Sequence, residues 1–151
     1  MQEVKLVEIE VRLKSHPKLE SLKEFLKKFF EQYSADFIIL FGSSAKGNFN
    51  YRSDLDLLII SNSLGNDYFE RLHKMQTITP GGIDFFIYTS KEFEKMIQGF
   101  QLMVLEALSS GIILYDQGNG VKYKNYVENL IREKKIEKLE HGWKISVKRY
   151  K

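Results

Sequence analysis

The sequence predicts a single small α/β domain, and three observations carry that expectation. Residues 35–41, 55–60 and 82–89 are short, almost continuous apolar runs, the signature of strands buried on both faces. Segments with apolar residues at helical spacing stand before, between and after them, so helix and strand alternate along the chain. The 151 residues suffice for one hydrophobic core and leave little for a second, and no repeat, low-complexity tract or Pro/Ser-rich linker divides them. One domain over residues 1–151 is the expectation.

Residues 4–10 alternate charged and apolar side chains, which suits an edge strand, with a helix as the alternative. From His16-Pro17 the spacing of Leu19, Leu22, Leu26, Phe29, Phe30 and Tyr33 predicts a helix over 17–33, with Pro17 at its first position. The first apolar run ends at Gly42, and a short helix over 67–76 separates the second run from the third. Ser90 then serves as an N-cap for two helices, or one interrupted near Gly99, closed at Gly111. Residues 112–115 make a small fourth strand and 116–120 (DQGNG) a turn. Tyr126, Val127, Leu130 and Ile131 then predict an amphipathic helical extension over about 120–140, beyond a core of about 17–115.

Composition excludes several classes. With 43% apolar and 28% charged residues and no uninterrupted apolar stretch of about 18 residues, the sequence reads as soluble and without membrane attachment. The acidic opening MQEVKLVEIE lacks a signal-peptide pattern, so a cytoplasmic protein is expected. The absence of cysteine removes disulfides, thiolate metal sites and thiol nucleophiles together. A net charge of +3 suits an anionic ligand without marking a dedicated nucleic-acid binder.

The chemistry concentrates in residues 41–60, FGSSAKGNFNYRSDLDLLII. Asp54 and Asp56 stand two apart at the start of a strand, so both carboxylates project from one face while Leu55 points into packing. Adjacent carboxylates on a buried strand repel and are costly to desolvate, which points to a neutralising cation. Oxygen ligands favour Mg²⁺ or Mn²⁺, ions that bridge carboxylates to substrate phosphates. Gly42 lets backbone N–H groups approach a polyphosphate, the Ser43 hydroxyl adds a donor, and Gly47 permits a tight exit. Asp84, the acid of the third apolar run, is expected buried beside Ile83, Phe85 and Phe86, and becomes a third carboxylate if its strand neighbours that of Asp56. Lys46 and Arg52 read as surface cations within reach of a phosphate. His16, His73 and His141 lack metal-site spacing and read as surface or capping residues.

The composite G-S-x-A-x-G, S-D-x-D and a later lone Asp, carried by Gly42, Ser43, Ala45, Gly47, Ser53, Asp54, Asp56 and Asp84, resembles the minimal nucleotidyltransferases of the DNA polymerase β superfamily over about residues 36–115. The resemblance implies a mixed central sheet flanked by helices and a nucleoside triphosphate held with Mg²⁺ at one sheet edge. It makes Asp54, Asp56 and Asp84 the metal-binding and catalytic residues, and Gly42, Ser43, Lys46 and Ser53 the nucleotide-binding ones. It further implies transfer of a nucleoside monophosphate, AMP from ATP, to a hydroxyl. Many such proteins pair with HEPN-domain helical proteins in toxin-antitoxin operons and adenylylate the toxin, which makes a HEPN-type partner an expectation here. The sequence departs from the frequent family form at Ser44 and Lys46, where arginines often stand.

Two other readings stand beside this one. A non-catalytic module would keep the nucleotide pocket while its surface holds another protein or a second copy of the chain in a homodimer. Nucleic-acid binding is the other, through the basic C-terminal region with Tyr123, Tyr126, Trp143 and Tyr150.

Overall fold

A computed structural model describes residues 13–14, 16–46 and 54–147. Its main sheet contains β1 (Phe37–Phe41), β2 (Leu55–Ile60), β3 (Ile83–Tyr88) and β4 (Ile112–Asp116), in the order β3-β2-β1-β4. β1 runs antiparallel to both β2 and β4, whereas β2 and β3 are parallel, so the sheet is mixed. A parallel pair needs a crossover, which is supplied by the helix α2 (Tyr68–Ile78). The other helices are α1 (Leu19–Gln32), α3 (Ser90–Gln98), α4 (Leu102–Ser110) and α5 (Asn119–Arg132).

Strand alternation sorts the apolar residues into two cores, one on each face of the sheet. Ile38, Leu40, Leu57, Ile59, Phe85 and Ile87 pack with Phe25 and Phe29 of α1 and Met75 of α2. Phe37, Ile39, Leu58 and Ile60 pack on the other face with Phe93, Val104, Leu108 and Val127 of α3, α4 and α5. β1 is central to both layers and buried along its whole length, which is why its sequence, FIILF, shows no alternation.

The break expected near Gly99 separates α3 from α4, with Phe100 at φ +52° and its side chain buried. Thr89, not Ser90, is the N-cap of α3: its hydroxyl accepts from the Glu92 N–H at 3.2 Å while Glu92 accepts from the Thr89 N–H at 2.8 Å. Ser90 is the first residue of the helix, and its hydroxyl accepts from the Asn62 side-chain amide at 2.9 Å. Arg71 of α2 is buried to 1% exposure and donates to the carbonyls of Gly65 and Asn66 and to the Glu92 carboxylate at 2.7 Å, tying α2 to the start of α3. Asp116 accepts three backbone N–H bonds at 2.8 Å from Gly118, Gly120 and Val121, which fixes the 116–120 turn and satisfies the first turn of α5.

The expected helical extension to about residue 140 is corrected. α5 stops at Arg132, Lys134 turns the chain at φ +59°, and β5 (Ile136–Leu139) pairs antiparallel with β6 (Gly142–Ile145). Burial of Ile136 in the second core anchors this hairpin, and Gly142 at φ +137° permits its tight turn. The strand or helix anticipated over 4–10 lies outside the described residues. Among the described residues, no helix is long and apolar enough to cross a membrane.

Candidate active site

The directions of β1, β2 and β3 bring the end of β1 and the beginnings of β2 and β3 to one edge of the sheet. Phe41 pairs with Asp56, and Asp56 with Asp84, so the Gly42 turn and two carboxylates become neighbours although 42 residues separate the first from the last. Parallel partners stand about 4.8 Å apart, and register places Asp56 and Asp84 on the same face. Asp56 is half-buried, and its carboxyl is raised above the ordinary aspartate range by burial first, then by the charges of Asp84 and Asp54.

Two expectations about the acids are corrected. Asp84 is exposed: β3 is the edge strand, and its Asp84 face is uncovered at this end. Asp54 precedes β2, which begins at Leu55, and its Oδ1 accepts from Lys18 Nζ at 2.6 Å. Among the described residues, no three acidic or imidazole side chains are gathered into a metal-binding cluster.

Gly42 is held at φ +79°, and a Cβ placed there would collide with Oδ2 of Asp56 and stand 3.3 Å from its Cγ. Glycine is therefore required both by backbone conformation and by the approach of the carboxylate. Residues 43–46 form a turn in which the Lys46 N–H donates to the Gly42 carbonyl at 3.4 Å. Ser43 is exposed at this edge, whereas Ser44 is buried. Lys46 pairs with Glu106 of α4, which also holds Lys138 at 3.2 Å. Burial pushes the Glu106 carboxyl up, but the hydrogen bonds and charges of these two lysines outweigh it and hold it below the ordinary range. Ser53, Gly47 and Arg52 lie outside the described residues.

His16 is 5% exposed, so of the surface and capping roles expected for it the surface one is corrected and the capping one fits. Its Nδ1 accepts from the Lys18 N–H at 3.0 Å, so in the neutral ring Nε2 carries the proton and donates to Ser44 Oγ at 2.9 Å. Ser44 Oγ in turn donates to the Asp54 carbonyl at 3.4 Å. The histidine pKa is lowered by burial first and by the Lys18 charge second, in keeping with this neutral form. These bonds tie the segment before α1 to both the Gly42 turn and the start of β2. Sequence reasoning missed His16, Lys18 and Ser44 because nothing local distinguishes them from ordinary polar residues.

The aromatic residues of the basic C-terminal region are divided. Tyr123 packs with Phe37 and Phe93, and Trp143 lies against the second core with the Lys138 ammonium 5.8 Å from its ring centroid. Tyr126 is exposed, and Tyr150 lies outside the described residues. A separate polar cavity of about 290 Å³, lined in part by Asp36, Asn62, Ser90 and Asn119, sits at the opposite end of the strands. Its Asp36 carboxylate is bonded to Asn119, and none of the acids at the Gly42 edge lines it.

Comparison with known proteins agrees with the fold and the sequence pattern. The family model described as "Nucleotidyltransferase domain" matches residues 19–80, which contain the Gly42 turn, Asp54 and Asp56. The protein named "Putative protein adenylyltransferase MJ1305", from Methanocaldococcus jannaschii, is 31% identical over 117 residues, covering 72% of this chain and 78% of the relative. The crystal structure of a "putative nucleotidyltransferase" from Sulfolobus solfataricus superposes with a TM-score of 0.50 at 17% identity, covering 74% of this chain and 87% of that one. A toxin-antitoxin crystal structure with AMP-PNP matches with a TM-score of 0.49 at 14% identity, over 75% of this chain and 88% of that one. The fold and the acidic edge define a nucleotidyltransferase-type domain. The chain belongs to the nucleotidyltransferase family.

Proposed function

We propose that the protein transfers AMP from ATP to a hydroxyl group, using Asp54, Asp56 and Asp84 with Mg²⁺ or Mn²⁺. The observation that carries this reading is the placement of Asp56 opposite Asp84 with Gly42 beside the Asp56 carboxylate. The donors fit a hard divalent ion by their chemistry: they are carboxylates, and Asp56 is disfavoured in its charged form by burial first and then by the charges of Asp84 and Asp54. Asp54 and Asp56 would hold the ion, with Asp84 as third ligand or base. When bound, the ion supplies charge neutralisation at the phosphates and polarises the phosphoryl group.

The remaining roles belong to the chain itself. The backbone N–H groups of the Gly42 turn and the exposed Ser43 hydroxyl orient the triphosphate, with Ser53 and Lys46 as further nucleotide-binding residues on the family pattern. The acceptor oxygen bonds to the α-phosphorus, the bond from that phosphorus to the bridging oxygen of the β-phosphate breaks, and pyrophosphate leaves. Asp84, exposed on the edge strand, accepts the proton of the attacking hydroxyl. The name of the M. jannaschii relative supports a protein hydroxyl as acceptor. On the family pattern that acceptor belongs to a HEPN-type helical protein, which makes this chain the antitoxin of such a pair.

The test is transfer of label from ATP carrying ³²P at the α-position, with Mg²⁺, to a helical partner co-expressed from the native host. Label on the partner with the wild-type chain, and none with an Asp56→Asn variant that retains the fold, is the expected result. Equal labelling by the variant would overturn the catalytic assignment. Metal-dependent binding of ATP without transfer to any partner would favour the non-catalytic module.

A further inference from the structure

Lys18 stands at the acidic edge although no feature of the nucleotidyltransferase motif includes it. Its Nζ donates to Asp54 Oδ1 at 2.6 Å, and its side chain is only 24% exposed. The stem lies along the start of β3, where Gly82 makes room: a Cβ on Gly82 would strike Lys18 Cδ and stand 2.9 Å from its Cε. Gly82 is also at φ +77°, a conformation glycine adopts without strain. The Lys18 backbone is fixed as well, since its N–H donates to His16, which bonds Ser44, which bonds the Asp54 carbonyl. Lys18 and Asp54 are therefore joined twice, once through their side chains and once through the His16–Ser44 relay.

We infer that Lys18 is a positioning residue, an internal counter-ion for Asp54 that a divalent cation displaces on binding. The inference rests on the proposed metal-binding role of Asp54. A carboxylate oxygen engaged in a short charge-assisted bond with an ammonium offers less of its charge to a metal ion, and two cations at one carboxylate repel. An ammonium suits such an exchange because it is a single mobile point charge on a flexible stem, without the bidentate hold of a guanidinium. Lys18 thus keeps Asp54 ordered and partly neutralised before loading, and lowers metal affinity by the strength of the pair.

The experiment is a titration of the full chain with Mn²⁺ alone, followed by electron paramagnetic resonance, for the wild type and for Lys18→Met, Lys18→Gln and Lys18→Arg. A partly exposed ion pair corresponds to a shift of about two- to fivefold. Mn²⁺ is expected to bind Lys18→Met and Lys18→Gln tighter than wild type by that factor, and Lys18→Arg no tighter than wild type. In an Asp54→Asn background the Lys18→Met gain should disappear. A residue that merely supported the fold would, when removed, leave Mn²⁺ affinity unchanged or weaken it, and either result in both neutral variants overturns the inference. Wild-type binding of Mn²⁺ with no gain in the variants refutes the role of Lys18 alone. No Mn²⁺ binding by wild type or variants refutes the metal-site reading and the inference together.

Discussion

The carboxylate of Asp56 lies against Gly42, in the space where any other residue would carry its Cβ. This contact couples the turn after β1 to the acid on β2, so the proposed phosphate-binding backbone and the proposed metal ligand are positioned by one another. Gly42→Ala would force the left-handed backbone, at a cost of about 1–2 kcal/mol, and push the Asp56 carboxylate aside. Binding of Mg²⁺-ATP should weaken by at least about tenfold, since small displacements of a site group have large effects. Unchanged affinity by calorimetry would show that the contact is incidental.

Asp56 is expected to trade stability for function. Because its folded pKa is raised, its favourable contribution is fullest below the ordinary aspartate value of 3.8 and is lost as pH rises through the folded value. At neutral pH the metal-free protein carries this carboxylate at a cost. Asp56→Asn should therefore melt higher than wild type at pH 7, by on the order of 2 °C, with the difference shrinking as pH falls toward 4. A lower melting temperature for the variant across this range would contradict the electrostatic account.

Arg71 is predicted to be a stability residue without a part in binding. Arg71→Met would leave the Gly65 and Asn66 carbonyls without their guanidinium donor and release Glu92. Burial pushes the Glu92 carboxyl up, but its bonds to Arg71 and Thr89 hold it below the ordinary range. Urea denaturation should show a loss of about 2–4 kcal/mol, and a loss under about 1 kcal/mol would argue against the hub.

His16 should remain neutral well into mildly acidic solution. Its pKa is lowered from 6.5, so the stability it contributes is present above 6.5 and is lost as pH falls through the folded value. Titration of the ring carbons by NMR should give a midpoint below 6.5, and Lys18→Met should move it part of the way back by removing the second cause. A wild-type midpoint at or above 6.5 would exclude the neutral ring bridging Lys18 and Ser44.

The sequence made legible what local pattern determines. β1 reads as continuous because both its faces are covered, and Asp54 and Asp56 are conspicuous because acids interrupt apolar runs. The exposure of Asp84 was not legible, since it depends on β3 being an edge strand. The pairs His16–Ser44 and Lys18–Asp54 span 28 and 36 residues, so no helical or strand period signals them. β5 falls within the range expected to be helical because only Ile136 of its four residues is buried while Glu137, Lys138 and Leu139 are exposed, so no strand alternation marks it. Nothing local marks Arg71 either, since its partners Gly65, Asn66 and Glu92 are brought together only by the fold.

The most direct test of the central claim is calorimetric titration of ATP into the metal-free protein, with and without Mg²⁺, for wild type and for Asp56→Asn. The account predicts binding by wild type that depends on Mg²⁺ and is lost in the variant while the fold is retained. ATP binding that needs no metal, or that survives loss of the Asp56 charge, would contradict it.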